Sequence, residues 1–249
     1  MSPPRRRVRE ADRQAVLDAA AVLQVRRTET ATAVAAGRAV EAEIVESYPR
    51  GLDQVGLNPD VRWSELMSVR PSVTATQLRA SLPTTRAWVA GGLRMTSVYD
   101  ADGTSAEARL LLAGETLGTY LLSVAPVQMK IVDRHQVLLQ GPLVDDRPTV
   151  MAVRSPACVD AAWRYWDAVL AAGFEVGESV AGPPQLSRRQ RQVAALLATG
   201  AGDDAIAQSL GVSVRTVRSD IAAMLDVLGA QTRFAAGTRL QMWSTVSRT

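Results

Sequence analysis

One cysteine, Cys158, one histidine, His135, and one lysine, Lys130, are all that this chain of 249 residues has of each. A single cysteine excludes an intramolecular disulfide and a zinc site built from several thiolates of one chain, and it fits a reducing cytoplasm. No apolar run approaches the roughly 20 residues that a membrane span needs. The opening Met1-Ser-Pro-Pro-Arg-Arg-Arg lacks the apolar stretch of a secretion signal. The expectation is a soluble, cytosolic protein. No Gly-x-x-x-x-Gly-Lys loop occurs, so the usual phosphate cradle of an ATP-dependent protein is missing. Aromatic residues amount to only 4%.

What is present is enough apolar material, 47% of residues, to bury real cores, and the length suggests two domains. The formal charge is only +3, but it is unevenly placed. From Pro183 onward eight arginines stand against four aspartates, a net +4 that leaves −1 for the rest. The charge that would displace counterions from a duplex therefore lies in the C-terminal segment.

Residues 1–9 read as a flexible basic tail. Residues 10–48 contain no proline and one glycine, Gly37, and read as a helical segment. Leu17, Ala20, Leu23, Val34, Val40 and Ile44 fall partly at helical spacing, and Gly37 is a candidate break. That face either packs on the chain's own core or forms a helical hairpin or dimer contact. Residues 49–172 read as an α/β sensor-like domain. A helix ends at Gly91-Gly92, and Leu93–Tyr99 alternates as a strand. A helix over 106–112 closes at Ala113-Gly114, and strands are predicted at 119–124, 130–132, 137–139 and 150–153. Cys158–Ala171 makes a helix whose buried face holds Trp163 and Trp166. Gly173, Gly177, Gly182 and Pro183-Pro184 mark residues 173–185 as a linker, with a separate domain over 186–249.

Asp203–Ala222 reads as two helices joined by a turn. Ala207 is small where the helices cross, Gly211 supplies the turn, and Val217 fills the angle between them. Ile206, Leu210, Val212 and Ile221 complete the wedge. Ser213 stands where an N-cap belongs, so the second helix begins near Val214. Arg215, Arg218, Ser219 and Ala222 are not needed for the wedge and project along one flank, which suits the major groove. Arg218 is the choice for base-edge contact, because a guanidinium can donate to two guanine acceptors at once. Arg215, Thr216 and Arg233 are assigned to phosphates. The alternative for each arginine is a solvated surface charge.

Leu186-Ser187, Arg189, Val193, Leu197-Ala198-x-Gly200, Ile206-Ala207, Leu210-Gly211-Val212-Ser213, Thr216-Val217-Arg218, Leu228-Gly229 and Arg233 together resemble the four-helix LuxR/GerE-type helix-turn-helix over about the last 60 residues. The resemblance implies a third helix that reads the major groove through Arg218, Ser219 and Ala222. It also implies a fourth helix, here 231–242, that commonly dimerises. Three positions depart from the family pattern. Gln190 and Gln192 replace acidic residues, Asp220 replaces a frequent histidine, and Val227 replaces a lysine. An aspartate facing phosphate is unfavourable, so Asp220 is expected to turn toward an arginine or water.

Gly92–Asp100, Ala113–Thr116, Ala125–Arg134 and Gly229–Gly237 look like a group of actinobacterial LuxR-type regulators whose N-terminal half is similar to phospholipase D-like and TrmB-type sensor domains. That similarity raises a rival reading, a phosphodiesterase with a DNA-targeting domain. Such an enzyme needs two His-x-Lys motifs, one histidine attacking phosphorus and the other protonating the leaving group. Here Val137 follows His135 in place of the lysine, and Gln128-Met129-Lys130 carries glutamine where the nucleophile would be. His135, Asp133 and Arg134 read as turn residues, with the two charges facing water or each other. Lys130 and Arg94 are candidate anion contacts in a cleft left over from a phosphate site.

A phosphorylatable receiver domain would need an acidic pair after its first strand, and this chain opens with arginines and a helix. A sigma factor's polymerase-binding region would be richer in aromatics. The expected molecule is an α/β sensor-like domain joined to an all-α four-helix LuxR-type helix-turn-helix domain. It acts as a non-catalytic transcriptional regulator needing neither cofactor nor metal. Its expected partners are an operator duplex, a second copy of itself and a small-molecule or protein effector.

Overall fold

Short β-branched segments and alanine-rich helical ones alternate through the first three quarters of the chain, and they assemble into one mixed sheet covered on both faces. The computed structural model describes residues 8–38, 40–47, 63–179, 186–228, 230–233 and 235–236. Apart from Val8 and Arg9, the expected basic tail lies outside them. The front half contains α1 (Glu10–Ala35), β1 (Ala42–Ser47), β2 (Glu65–Arg70), α2 (Ala75–Ala90), β3 (Arg94–Asp100), α3 (Ala106–Ala113), β4 (Thr119–Ser123) and β5 (Met129–Val132). It continues with β6 (Gln136–Gln140), β7 (Thr149–Val153), α4 (Pro156–Ala171), β8 (Phe174–Glu175) and α5 (Val176–Ser179). Three helices follow: α6 (Arg188–Ala198), α7 (Asp203–Leu210) and α8 (Val214–Leu228).

The sheet has eight strands in the order β1-β7-β6-β5-β2-β3-β4-β8. β2, β3 and β4 run parallel, joined by the crossover helices α2 and α3. The remaining pairings are antiparallel. Alternate residues of the inner strands enter two different cores, as the period of two requires. Val69, Val98, Met129, Ile131 and Leu139 face α1 and α4, where Val16, Leu23, Ala162 and Trp166 meet them. Leu66, Met95, Tyr99, Leu122 and Leu138 face the other way, under Leu78 of α2 and Leu112 of α3. Burial on both sides explains why the strands read as nearly continuous apolar runs.

Three parts of the expected organisation are corrected. The helical reading of 10–48 ends at Ala35, because Gly37 takes φ +65° and lets Arg38 N–H reach the carbonyl of Ala33 at 3.0 Å. Ala42–Ser47 is instead an edge strand against β7, with a bulge between Ile44 and Glu46 that breaks its alternation. Residues 173–185 are not wholly a linker. Phe174 and Glu175 pair with Leu122 and Leu121, and Phe174 and Val176 are buried in the second core. Residues 180–185 lie outside the described part. Trp166 is buried as expected of the α4 face, whereas Trp163 is only half-buried. β2, which the sequence reading had not singled out, lies in the middle of the sheet.

Buried polar groups tie the layers together. Ser123 donates to the carbonyl of Val169 at 2.8 Å, joining β4 to α4. Asp100 closes the turn after β3 by accepting from the N–H groups of Asp102, Gly103 and Ala125. The Tyr165 hydroxyl accepts from Val127 N–H at 3.0 Å and donates to the Val127 carbonyl at 3.1 Å. Burial also raises its pKa well above the ordinary phenol range. Tyr165→Phe strands both backbone groups of Val127 in a dry site. The expected cost is about 1–3 kcal/mol, read as a lower urea midpoint at an unchanged slope.

Candidate nucleic-acid interface

The arginine-rich C-terminal part builds its helices from local rules. Ser187 and Gln190 form a reciprocal capping box at the start of α6. The replacement of an acidic residue by Gln190 therefore still serves the helix end. α7 closes at Gly211, whose φ of +64° lets Val212 N–H reach the carbonyl of Ala207 at 3.0 Å. A Cβ at Gly211 would meet nothing within 4 Å, so the requirement there is conformational rather than steric. Ser213 Oγ accepts from Thr216 N–H at 3.1 Å and lies 2.8 Å from Thr216 Oγ1, which starts α8 at Val214.

Val193, Ile206, Ala207, Val217 and Ile221 form the buried wedge between α6, α7 and α8, with Leu210 and Val212 packed against it. Leu186, Ala194, Met224 and Leu228 form a second cluster with Ala230 and Ala236. Thr232 accepts from Ala235 N–H at 3.1 Å, where the expected fourth helix would begin. Most of 231–242 lies outside the described residues.

With Val217 and Ile221 inside, Arg215, Arg218, Ser219 and Ala222 are exposed along the outer flank of α8. The Arg218 side chain is 69% exposed, and its Nε donates to Oδ2 of Asp203 at 3.0 Å. Arg233 holds the same carboxylate with both terminal nitrogens, at 2.7 and 3.2 Å. Asp203 itself is only 11% exposed. Hydrogen bonds from Arg233 and then Arg218 hold its carboxyl below the usual aspartate range. Sequence reasoning missed Asp203. A carboxylate in the first turn of a helix is ordinarily favoured by the helix dipole, and nothing local signals its arginine partners.

Asp220, buried on the inner side of α8, accepts from Arg189 of α6 at 2.6 and 3.1 Å. Its turn away from the outer flank matches what its charge required. Among the described residues Arg215 makes no ion pair, while Ser213 and Thr216 are engaged in the helix cap.

The helical region docks on the α/β region through α6 and the end of α7. Ala195 is buried in the second core of the sheet, Leu196 lies against Gly114, and the Thr116 hydroxyl donates to the carbonyl of Ser209 at 3.1 Å. Among the described residues α6 and α7 are the elements that pack most against α8, and they leave its outer flank exposed.

Lys130 and Arg94, each a candidate anion contact, do not share a cleft. Lys130 lies between Met129 and Ile131, whose side chains enter the first core, so it stands on the opposite face, 8% exposed beside Ser68. Arg94 precedes Met95 of the second core, so it occupies the first face, 74% exposed and 3.7 Å from Glu65. Arg134 faces water as expected, 64% exposed, but both turn charges also find partners outside the turn. Asp133 accepts from the N–H and hydroxyl of Ser64 and from Glu65 N–H. Arg134 lies 4.8 Å over the Trp163 ring and 3.4 Å from Glu65. His135 is in that turn, its Nδ1 2.7 Å from the Asp133 carbonyl oxygen.

A model of the bacterial regulatory proteins of the luxR family matches residues 184–238. These residues are a LuxR-type helix-turn-helix domain. α6, α7 and α8 all lie within the LuxR-type domain. A search of curated proteins found no match. Among solved structures, a phospholipase D family member, Nuc from Salmonella typhimurium, is similar at 13% identity with a TM-score of 0.38, covering 54% of this chain and 98% of that one.

Two measurements test this construction. Ser213→Ala removes the cap of α8 and should lower unfolding stability by about 1 kcal/mol in a denaturant titration. Asp203 ionises more readily folded than unfolded, so its contribution is complete above the ordinary aspartate range and is lost as pH falls through its lowered folded value. The melting-temperature difference between wild type and Asp203→Asn should therefore be largest near neutral pH and shrink on acidification.

Proposed function

We propose that the chain is a transcriptional regulator that reads a specific duplex sequence with the outer flank of α8 and uses its α/β region as a non-catalytic effector domain. Arg218 contacts base edges, Ser219 and Ala222 allow the close approach of the helix to the groove, and Arg215 holds a phosphate. Ser213 and Thr216 act by setting the start of α8. Arg233 acts through Asp203 and reaches phosphate only by loosening that pair. The observation that carries this reading is the exposure of Arg218 on a helix whose opposite side is locked by Val217 and Ile221.

The protein works in the cytoplasm as a homodimer, presenting two reading helices to half-sites about 34 Å apart. α1 and the fourth helix are the two candidate dimer elements, and exposed Val22 and Val25 favour the outer face of α1. A phosphodiesterase is disfavoured because the lone His135 is bonded into a turn and Lys130 follows Gln128 rather than a histidine.

Arg218→Ala, titrated against a duplex selected by the wild-type protein from a random pool and against a scrambled duplex, should lose about 1–3 kcal/mol of discrimination. Arg215→Ala should weaken both duplexes alike and reduce the salt slope by about 1. Equal preference in wild type and Arg218→Ala would remove this helix from base reading.

A further inference from the structure

Asp203 is the only described carboxylate that meets two arginines of the LuxR-type domain at once, and it joins three parts of that domain. It sits in the first turn of α7, takes Nε of Arg218 from α8, and takes both terminal nitrogens of Arg233 just beyond α8. A guanidinium carries five N–H donors in a rigid fork. The bond to Asp203 uses one edge of the Arg218 fork. Among the described residues no partner occupies the N–H pair on the terminal nitrogens, which matches O6 and N7 of a guanine. The carboxylate also leaves two cations with a net charge of +1.

We propose that Asp203 is a specificity-determining positioning residue, which holds the Arg218 fork in reading orientation and lowers the attraction of this surface for phosphates of any sequence. This rests on the reading of α8 given above. Two consequences follow from the chemistry. An arginine that is already held loses less side-chain freedom when it meets its base, so the correct sequence benefits. A surface with one positive charge neutralised releases fewer counterions from any duplex, so overall attraction and its salt slope fall while the preference between sequences comes from the held fork.

The test uses the full chain, the selected duplex and a scrambled duplex of equal composition, over a range of salt. Asp203→Asn should bind the scrambled duplex more tightly, steepen its salt slope by about 1, and lower the selected-to-scrambled ratio about three- to tenfold. On an Arg218→Ala background, Asp203→Asn should lower the ratio no further, because the effect passes through Arg218. Asp203→Glu keeps the charge and shifts the carboxylate by one methylene, so it should lower the ratio while leaving the salt slope as in wild type. That variant also serves if Asp203→Asn fails to fold. A wild-type ratio in folded Asp203→Asn or in Asp203→Glu, alongside a lost ratio in Arg218→Ala, would overturn the role of Asp203 alone. An unchanged ratio in Arg218→Ala would overturn the reading of α8 and this inference with it.

Discussion

Val217 has no exposure to solvent, and Ile206 and Ala207 of α7 stand against it together with Val193 of α6. A helix advances about 100° per residue, so burying Val217 and Ile221 determines the rotation of α8 about its axis and aims every other side chain on it. Arg218, Ser219 and Ala222 face outward for that reason alone. Asp220 is carried inward by the same rotation, and a carboxylate in that position needs a partner. Arg189 supplies it from the neighbouring helix.

The charges around α8 are organised by carboxylates as much as by arginines. Arg189 is held by Asp220, and Arg218 and Arg233 by Asp203, which leaves Arg215 without an ion pair among the described residues. A surface of this kind carries less net positive charge than its arginine count suggests. Its cations have defined positions, and defined positions are what distinguish one base sequence from another. The docking of α6 on the sheet domain, through Ala195, Leu196 and the Thr116 bond to Ser209, adds a physical connection between the two halves that, among the described residues, leaves the outer flank of α8 uncovered.

Much of this was legible in the chain. The turn glycine, the serine cap, the small residue at the crossing and the branched residue in the angle each obey a local rule, and these four positions suffice to place α7 and α8. The alternation of β3 and the strong periodicity of α4 were readable for the same reason. β1 was read as helix because its bulge interrupts the period of two and its glutamates are common in helices. β8 was hidden in a glycine-containing stretch because two residues carry no periodic signal; they form a strand only because the edge of β4 is there to receive them.

Local chemistry by itself determined the helix ends, the turn at Gly211 and the choice of Arg218 as an outward residue, since each depends on neighbours within a few positions. Tertiary structure alone decided that Asp203 would join Arg218 and Arg233, residues 15 and 30 positions away. It also decided that Lys130 and Arg94 would stand on opposite faces of the sheet. Those outcomes depend on strand order and helix crossing, which bring distant residues together or set them apart through contacts that no short stretch of sequence contains.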